Sequence, residues 1–399
     1  MSLFIKYIEE NNLSKFSDIT NKLLDIKGLV IKENGNENEN ENGKGKGNLY
    51  LVKYNKKEGT EEDYNTYSFL KESRSLIIEK ETNKIVCMSL TFKDSYEEFI
   101  DNVEWEDNVI EESIDGTLIN LYYYNNVWNI STRGTLDANC YWNSSKTFHT
   151  LFTESSQSLN YDLLKTNFCY SFVLCHPESR NISKYNDPKI IHILSRNMDT
   201  LLESDEEIGI IKPAIIKILN VNKLEADSYQ KLEHSVDSLD YVQEGYMIYS
   251  KNRLYRTKLR SAEFNKVSKI KGNEPFIIKR LLVLRKMGEL GKLTEFLYYF
   301  NEYMEQYNNM EQSLTNIINE IYNYYIQIKI KKNFIDLPHF SRKAIYEIHN
   351  IYLGLASNYV SGAKPTIRKD DVKDWFESQD VNYQYYLYNV YVNYIANGE

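Results

Sequence analysis

The apolar residues of this chain change their spacing once, near residue 270, and that change splits it into two kinds of structure. From about residue 49 to 270 they fall in short runs separated by turn residues. Past Asn273-Glu274-Pro275 they recur every three or four positions. Short runs bounded by turns build strands, and the wider spacing builds helices. In the first part, Leu76-Ile77-Ile78 leads through a turn at 81–84 to Ile85-Val86-Cys87-Met88. Residues 117–124 and 127–132 are strand-like runs joined by Asn125-Asn126, and asparagine tolerates the positive φ of a two-residue hairpin turn. Further strands are expected at 168–175 and 190–194, with a hairpin of 246–249 and 253–259 around Lys251-Asn252. Helical spacing covers 2–27, 147–154 and 213–220.

In the second part Asn273 is suited to cap a helix and Pro275 to stand in its first turn. Ile277, Leu281, Leu282 and Leu284, then Leu293, Phe296, Leu297 and Phe300, keep one face apolar, with Gly288 and Gly291 as punctuation. Residues 344–355 and 372–395 continue the pattern, and the lysine-rich 327–333 reads as a solvated helix end. The chain therefore reads as α+β: an antiparallel-sheet domain over 1–270, then an all-helical domain over 271–399. Inside the first, residues 33–48 alternate Glu, Asn, Gly and Lys. They lack the apolar side chains that would offset ordering entropy, so they read as a disordered loop.

Composition narrows the function classes. A net charge of −9 argues against a broad non-specific nucleic-acid surface and leaves room for a local basic groove. No apolar run approaches the roughly 20 residues of a membrane span. The amphipathic, acidic N-terminus is not a secretory signal. Cys87, Cys140, Cys169 and Cys175 form no C-x-x-C pair, so they read as reduced thiols of an intracellular protein, cytoplasmic or nuclear. Cys169, Cys175 and His176 match no zinc spacing, and no phosphate-binding P-loop, dinucleotide fingerprint or H-E-x-x-H occurs. The 34 tyrosines read as compositional bias rather than as stacking platforms.

One ordered set of short motifs carries chemistry. Residues 111–121 read Glu-Glu-Ser-Ile-Asp-Gly-Thr-Leu-Ile-Asn-Leu. Upstream stands Glu72-Ser73-Arg74-Ser75-Leu76. Downstream come Trp128 to Arg133-Gly134, then Phe168 to Cys175 with His176-Pro177-Glu178-Ser179-Arg180, then Glu244-Gly245-Tyr246, then Lys258-Leu259-Arg260-Ser261. Asp115-Gly116 alone is most often a plain turn; the order and spacing of the pieces carry the weight. Together they resemble the nucleotidyltransferase domain of the ATP-dependent RNA and DNA ligases, of the phage tRNA-repair RNA ligase type, over roughly residues 50–270. The resemblance implies ATP and Mg²⁺ as cofactors, and a nucleotide with RNA ends or tRNA as partners. By it, Asp115 orients the nucleophile or bonds the ribose, and Gly116 lets the backbone approach the ligand. Arg74, Arg133, Lys258 and Arg260 bind the phosphates, and Glu244 helps hold the metal. The helical tail stands where that family carries a helical RNA-specificity domain.

Two positions depart from the pattern. In that family a lysine amine attacks the α-phosphate of ATP and carries AMP; here the position is Ser113. A strand position that is glutamate there is Val173 here. A serine hydroxyl needs a positioned general base, and no Ser-His pairing is legible. Lys146 and Lys165 are candidates, by sequence proximity, for a relocated lysine. Three functions stay open: an RNA ligase-like protein that binds ATP without conventional lysine self-adenylation, which the residues favour; an active ligase with a relocated nucleophile; and a non-catalytic scaffold with a vestigial pocket.

Overall fold

The computed structural model describes residues 2–33, 46–215, 228–286, 290–357 and 365–397. The chain is α+β and divides into two compact units, Met1–Ser268 and Lys269–Glu399. Among the described residues, no helix is long and apolar enough to cross a membrane.

The first unit holds three antiparallel sheets. Strands β1 (Leu29–Glu33), β2 (Leu49–Tyr54), β3 (Leu76–Glu79) and β4 (Ile85–Met88) pair in chain order. Next along the chain come β5 (Asn108–Glu112), β6 (Thr117–Tyr124), β7 (Val127–Thr132), β8 (Phe168–Cys175), β9 (Lys189–Asn197) and β10 (Glu203–Ser204). The last five of these form a sheet in the order β10-β9-β8-β6-β7. Strands β11 (Gly245–Ser250) and β12 (Arg256–Arg260) reach back to β5 and form the third sheet, β12-β11-β5.

Strand β8 explains the layering. All eight of its residues are buried, so neither face meets water. Phe168, Tyr170, Phe172 and Leu174 pack with Leu151 and Phe152 of the helix Phe148–Ser155. Cys169 faces the opposite way, into the core of the first sheet, and Val173 and Cys175 pack with Ile114, Tyr185 and Ile191. Period-two alternation thus serves two cores from one strand. The β6–β7 hairpin forms as its asparagines require: Asn125 and Asn126 have φ of 52° and 61°, a turn whose twist matches the flanking strands.

Several sequence expectations are corrected here. The 2–27 stretch is two helices, Leu3–Glu10 and Phe16–Leu23, because Asn12 takes a φ of 53° and ends the first. Residues 253–255 are not strand. The Ser250 hydroxyl donates to Asn252 Oδ1 (2.6 Å) and accepts the Tyr255 N–H (3.0 Å), closing a loop in which Arg253 has a φ of 60°. Residues 213–215 are extended rather than helical. The Ala214 carbonyl accepts the Glu112 N–H at 2.9 Å and Ile215 bridges Glu111; the rest of that expected helix lies outside the described residues. Of the low-complexity loop, Glu33 ends β1 and 46–48 form one tight helical turn, while 34–45 lie outside the described residues.

The Cys87 and Cys169 sulfurs sit 3.2 Å apart where the first two sheets meet, both buried and unoxidised. Burial pushes the Cys87 thiol well up and Cys175 up to about 11. Thiolate, the reactive form, is scarce at both. A maleimide applied to the native protein at neutral pH is expected to modify the half-buried Cys140 first and the other three only after denaturation. Peptide mass spectrometry reads this, and equal native modification at Cys87 and Cys140 would contradict the packing.

The secondary structure of the second unit is all helical among its described residues, with the long helices Ile277–Lys286, Leu290–Tyr299, Met304–Tyr325, His339–Ser357, Lys369–Ser378 and Val381–Asn397. Met310, Leu314, Ile317, Ile321 and Tyr325 bury one stripe of the longest helix. Arg285 ties three helices, with Nε 2.7 Å from Glu311 and Nη2 2.6 Å from Glu377. The run expected as one helix over 372–395 breaks at Gln379-Asp380. Asp380 Oδ1 accepts the Asn382 and Tyr383 N–H groups at 2.8 and 3.1 Å and starts a new helix. Gly291 lies inside a helix rather than ending one, Gly288 lies outside the described residues, and the lysine-rich end winds as a π-helical turn, Ile326–Ile330.

Candidate functional site

Within the first unit the sheets enclose a cavity of about 610 Å³. Its wall comes from the residues just before β3, the 90–95 segment after β4, the 111–118 link from β5 to β6, Arg133 after β7, and strands β8, β9, β11 and β12. The volume is that of a small-ligand site. Eight lysines and arginines line it against three carboxylates, while Leu118, Val173, Ile193 and Met247 make an apolar stretch of the same wall. A protein of net charge −9 has concentrated cations at one place.

Strand β12 supplies three of them. Arg256, Lys258 and Arg260 are two residues apart, so they share one face. Their carboxylate is Glu244, 4% exposed, just before β11. Lys258 Nζ donates to Glu244 Oε2 at 2.9 Å, and Arg260 holds Oε1 through Nε at 2.8 Å and Nη2 at 2.6 Å. The Ser113 hydroxyl donates to Oε2 at 2.6 Å, and its backbone N–H donates to the Gly245 carbonyl at 2.9 Å. The four lone-pair positions of the carboxylate are therefore filled. A metal reaches Glu244 only by displacing one of these donors. Burial pushes the Glu244 carboxyl up, but Lys258, Arg260 and Ser113 together hold it below the ordinary value. A carboxylate so stabilised is a weak base, so it does not activate Ser113. Gly245 makes the turn into β11 with a φ of 130°; a Cβ there would stand 2.1 Å from the Leu259 carbonyl oxygen.

Arg74 is arranged differently. Its side chain is half-buried at the cavity wall and makes no hydrogen bond or ion pair among the described residues, although the Glu244 charge acts on it. Its electrostatic neighbours include Arg133, Arg256 and Arg260. Burial, then the charges of Arg133 and Arg256, lower its pKa. Arg133 also lines the cavity without a partner among the described residues. Arg256, by contrast, is neutralised by Glu203 at 2.8 Å, and Arg253 by Asp205 at 2.7 Å, with Arg253 lying 4.0 Å over the Tyr249 ring.

The cavity brings together Arg74, Ser113, Gly116, Arg133, Lys258 and Arg260 of the residues expected from sequence. Asp115 lies outside its lining. Its Oδ2 accepts the N–H groups of Ile182 and Ser183, both at 2.8 Å, and its carbonyl accepts the Tyr185 hydroxyl at 2.6 Å. Asp115 thus pins the loop after β8 beneath the site. Gly116 makes its close approach to β8: a Cβ would lie 2.5 Å from the Leu174 carbonyl oxygen and 2.5 Å from Val173 Cγ1. Gly116→Ala is expected to cost about 1–3 kcal/mol of stability by overpacking. Urea unfolding measures it, and an unchanged midpoint would contradict this contact.

Lys146 and Lys165 do not reach the cavity. Lys146 pairs with Glu178 (2.7 Å) and Glu154 (3.1 Å), and Lys165 with Glu206 (2.7 Å). Sequence reasoning missed Lys56, Lys93, Arg253 and Arg256. Arg256 was legible, since it shares strand parity with Lys258 and Arg260. Lys56 and Lys93 sit in loops whose direction no local pattern fixes.

No family model matches the chain. The RNA ligase of Rhodothermus phage RM378 is 26% identical over a 264-residue alignment that covers 53% of this chain and 58% of that protein. A putative bifunctional polynucleotide kinase/RNA ligase of Autographa californica nuclear polyhedrosis virus is 26% identical over 216 residues, covering 48% of this chain and 30% of that protein. The chain thus spans less than two thirds of either curated relative. Among solved structures, a putative ATP-dependent DNA ligase from Aquifex aeolicus overlaps 77% of this chain and 81% of its own, with a TM-score of 0.42 and 11% identity. A Naegleria gruberi RNA ligase solved with AMP and Mn overlaps 45% and 58%, with a TM-score of 0.34 and 12% identity. With the motifs in order and both curated relatives described as RNA ligases, the chain is similar to the ATP-dependent ligase and nucleotidyltransferase superfamily.

Proposed function

We propose that the first unit is an RNA ligase-like domain whose cavity binds ATP through its triphosphate. Arg74 carries this reading: a half-buried guanidinium that makes no hydrogen bond or ion pair among the described residues, grouped with Arg133, Arg256 and Arg260 around a Glu244 carboxylate already shared by Lys258 and Arg260. Two unit charges 4 Å apart interact by about 4 kcal/mol at an effective dielectric of 20, so clustered cations are costly until an anion joins them. A triphosphate offers several charged oxygens to Arg74, Arg133, Lys258 and Arg260, and charge-assisted contacts are the strong ones. The apolar stretch of Leu118, Val173, Ile193 and Met247 suits a purine face. Val173, where the resembling ligases have glutamate, adds to that stretch.

The filled lone pairs of Glu244 do not fit a metal ligand; the residue instead fixes Lys258 and Arg260 for the phosphates. A Mg²⁺ arriving with ATP would keep mainly phosphate and water oxygens, as that ion prefers. Ser113 serves as the hydroxyl that completes Glu244's shell. RNA ends, tRNA among them, are the proposed polymeric partner, by likeness to the two RNA ligases. Calorimetric titration compares ATP with adenosine. ATP is expected to bind at least about a hundredfold tighter, since each contact to a charged group contributes roughly 1.5–3 kcal/mol. Equal affinities, or no ATP binding, would remove this reading.

A further inference from the structure

We infer that Lys93, and none of Ser113, Lys146 and Lys165, is the side chain that becomes covalently adenylylated by ATP in this cavity. The inference rests on the nucleotide reading above and adds the reacting atom to it.

Three lysines line the cavity. Lys258 is engaged with Glu244 at 2.9 Å. Lys56 lies 3.9 Å over the Tyr64 ring and 4.9 Å from the Phe92 ring. Lys93 has no carboxylate and no ring partner among the described residues, so its amine is uncommitted. Its backbone is not. The Phe92 N–H donates to the Lys71 carbonyl at 2.8 Å. The Asp94 N–H donates to the Arg256 carbonyl at 2.8 Å, Asp94 Oδ2 accepts the Arg256 N–H at 3.0 Å, and the Thr257 hydroxyl donates to the Asp94 carbonyl at 3.1 Å. Lys93 is thus a free side chain on a segment stapled to β12, the strand that carries Lys258 and Arg260.

The charged groups that act on Lys93 are Arg260, Lys258, Glu244 and Arg74. They are the cations assigned above to the phosphates, with the carboxylate to which Ser113 donates. Lys93 is exposed on the cavity rim; partial desolvation of its amine, then the charges of Arg260 and Lys258, bring its ammonium down to about 8. A lysine crowded by cations holds a usable fraction of free amine near neutral pH. A serine whose hydroxyl is committed to Glu244, with no base to take its proton, leaves the reaction to another nucleophile on the same wall.

The step balances with ATP as co-reactant. The free amine of Lys93 attacks the α-phosphorus, and a phosphorus–nitrogen bond forms. The bond from the α-phosphorus to the bridging oxygen breaks, and pyrophosphate leaves with the electron pair. The nitrogen sheds one proton to water, giving a lysine–AMP phosphoramidate. Arg74, Lys258 and Arg260 stabilise the charge that builds on the phosphate oxygens.

The test incubates the full chain with α-³²P-ATP and Mg²⁺, follows the label by denaturing electrophoresis and peptide mapping, and measures ATP affinity by calorimetry for wild type and Lys93→Arg. The expected result is an acid-labile label on the peptide containing Lys93, lost in Lys93→Arg, which keeps the charge and still binds ATP. The labelling rate should rise about tenfold per pH unit below about 8 and level off above, as the free amine accumulates. A label that survives Lys93→Arg, or maps to Ser113 or another residue, overturns the assignment. ATP binding without any label also overturns it and leaves the nucleotide reading standing. No ATP binding overturns both.

Discussion

Glu244→Ala is expected to lower the unfolding free energy by about 3–5 kcal/mol, the scale for removing one partner of a buried ion pair. The carboxylate receives Lys258, Arg260 and the Ser113 hydroxyl in one buried site. Without it, Lys258 keeps its burial and faces Arg260 and Arg74 with nothing between. Glu244→Gln preserves the shape and part of the hydrogen bonding, so its loss should be smaller. The pH dependence follows from the lowered Glu244 pKa. The ionised group's contribution is fully present above its unfolded value of about 4.3 and is lost as pH falls through its lower folded value. Wild type should therefore lose stability in acid more steeply than Glu244→Gln. Urea unfolding curves from pH 7 to pH 3 measure the difference, and parallel losses would mean that the network contributes nothing.

Arg74→Ala should move binding and stability in opposite directions. Losing one charge-assisted contact weakens ATP binding by about 2 kcal/mol, roughly thirtyfold. The same change removes a half-buried guanidinium that makes no hydrogen bond or ion pair among the described residues and on which the charges of Arg133, Arg256 and Arg260 weigh against that of Glu244 alone, so the apo protein should keep or gain stability. A structural arginine would behave otherwise, since its truncation costs stability first. Sites kept for function commonly carry such local cost.

The strands were legible where alternation and turn chemistry agreed. Asn125-Asn126 announced the β6–β7 hairpin because both residues accept positive φ, and β8 read as a strand from a short run that is apolar but for Ser171. The order of the sheets was not legible, because β5 pairs with β11 across more than a hundred residues and no local pattern encodes that partnership. At the site, Arg74, Arg133, Lys258 and Arg260 were named from sequence and do line the cavity. Asp115 was given a ligand-facing role and lies outside the cavity lining, where it pins 182–183; Gly116 lines the cavity and also presses on Leu174. An Asp-Gly turn read from sequence does not say whether its neighbour is ligand or strand. Lys93 escaped notice because its loop is aimed by Asp94 and Arg256, a pairing 162 residues apart in sequence.

On the proposed reading the cationic cavity serves a polyanionic nucleotide. The direct measurement is calorimetric ATP titration of wild type and Arg74→Ala, each with a thermal unfolding midpoint taken on the same sample. The account predicts that wild type binds ATP, that Arg74→Ala binds it roughly thirtyfold more weakly, and that the midpoint of the variant is equal or higher. Undiminished affinity in Arg74→Ala, or a midpoint that falls along with the affinity, would contradict it.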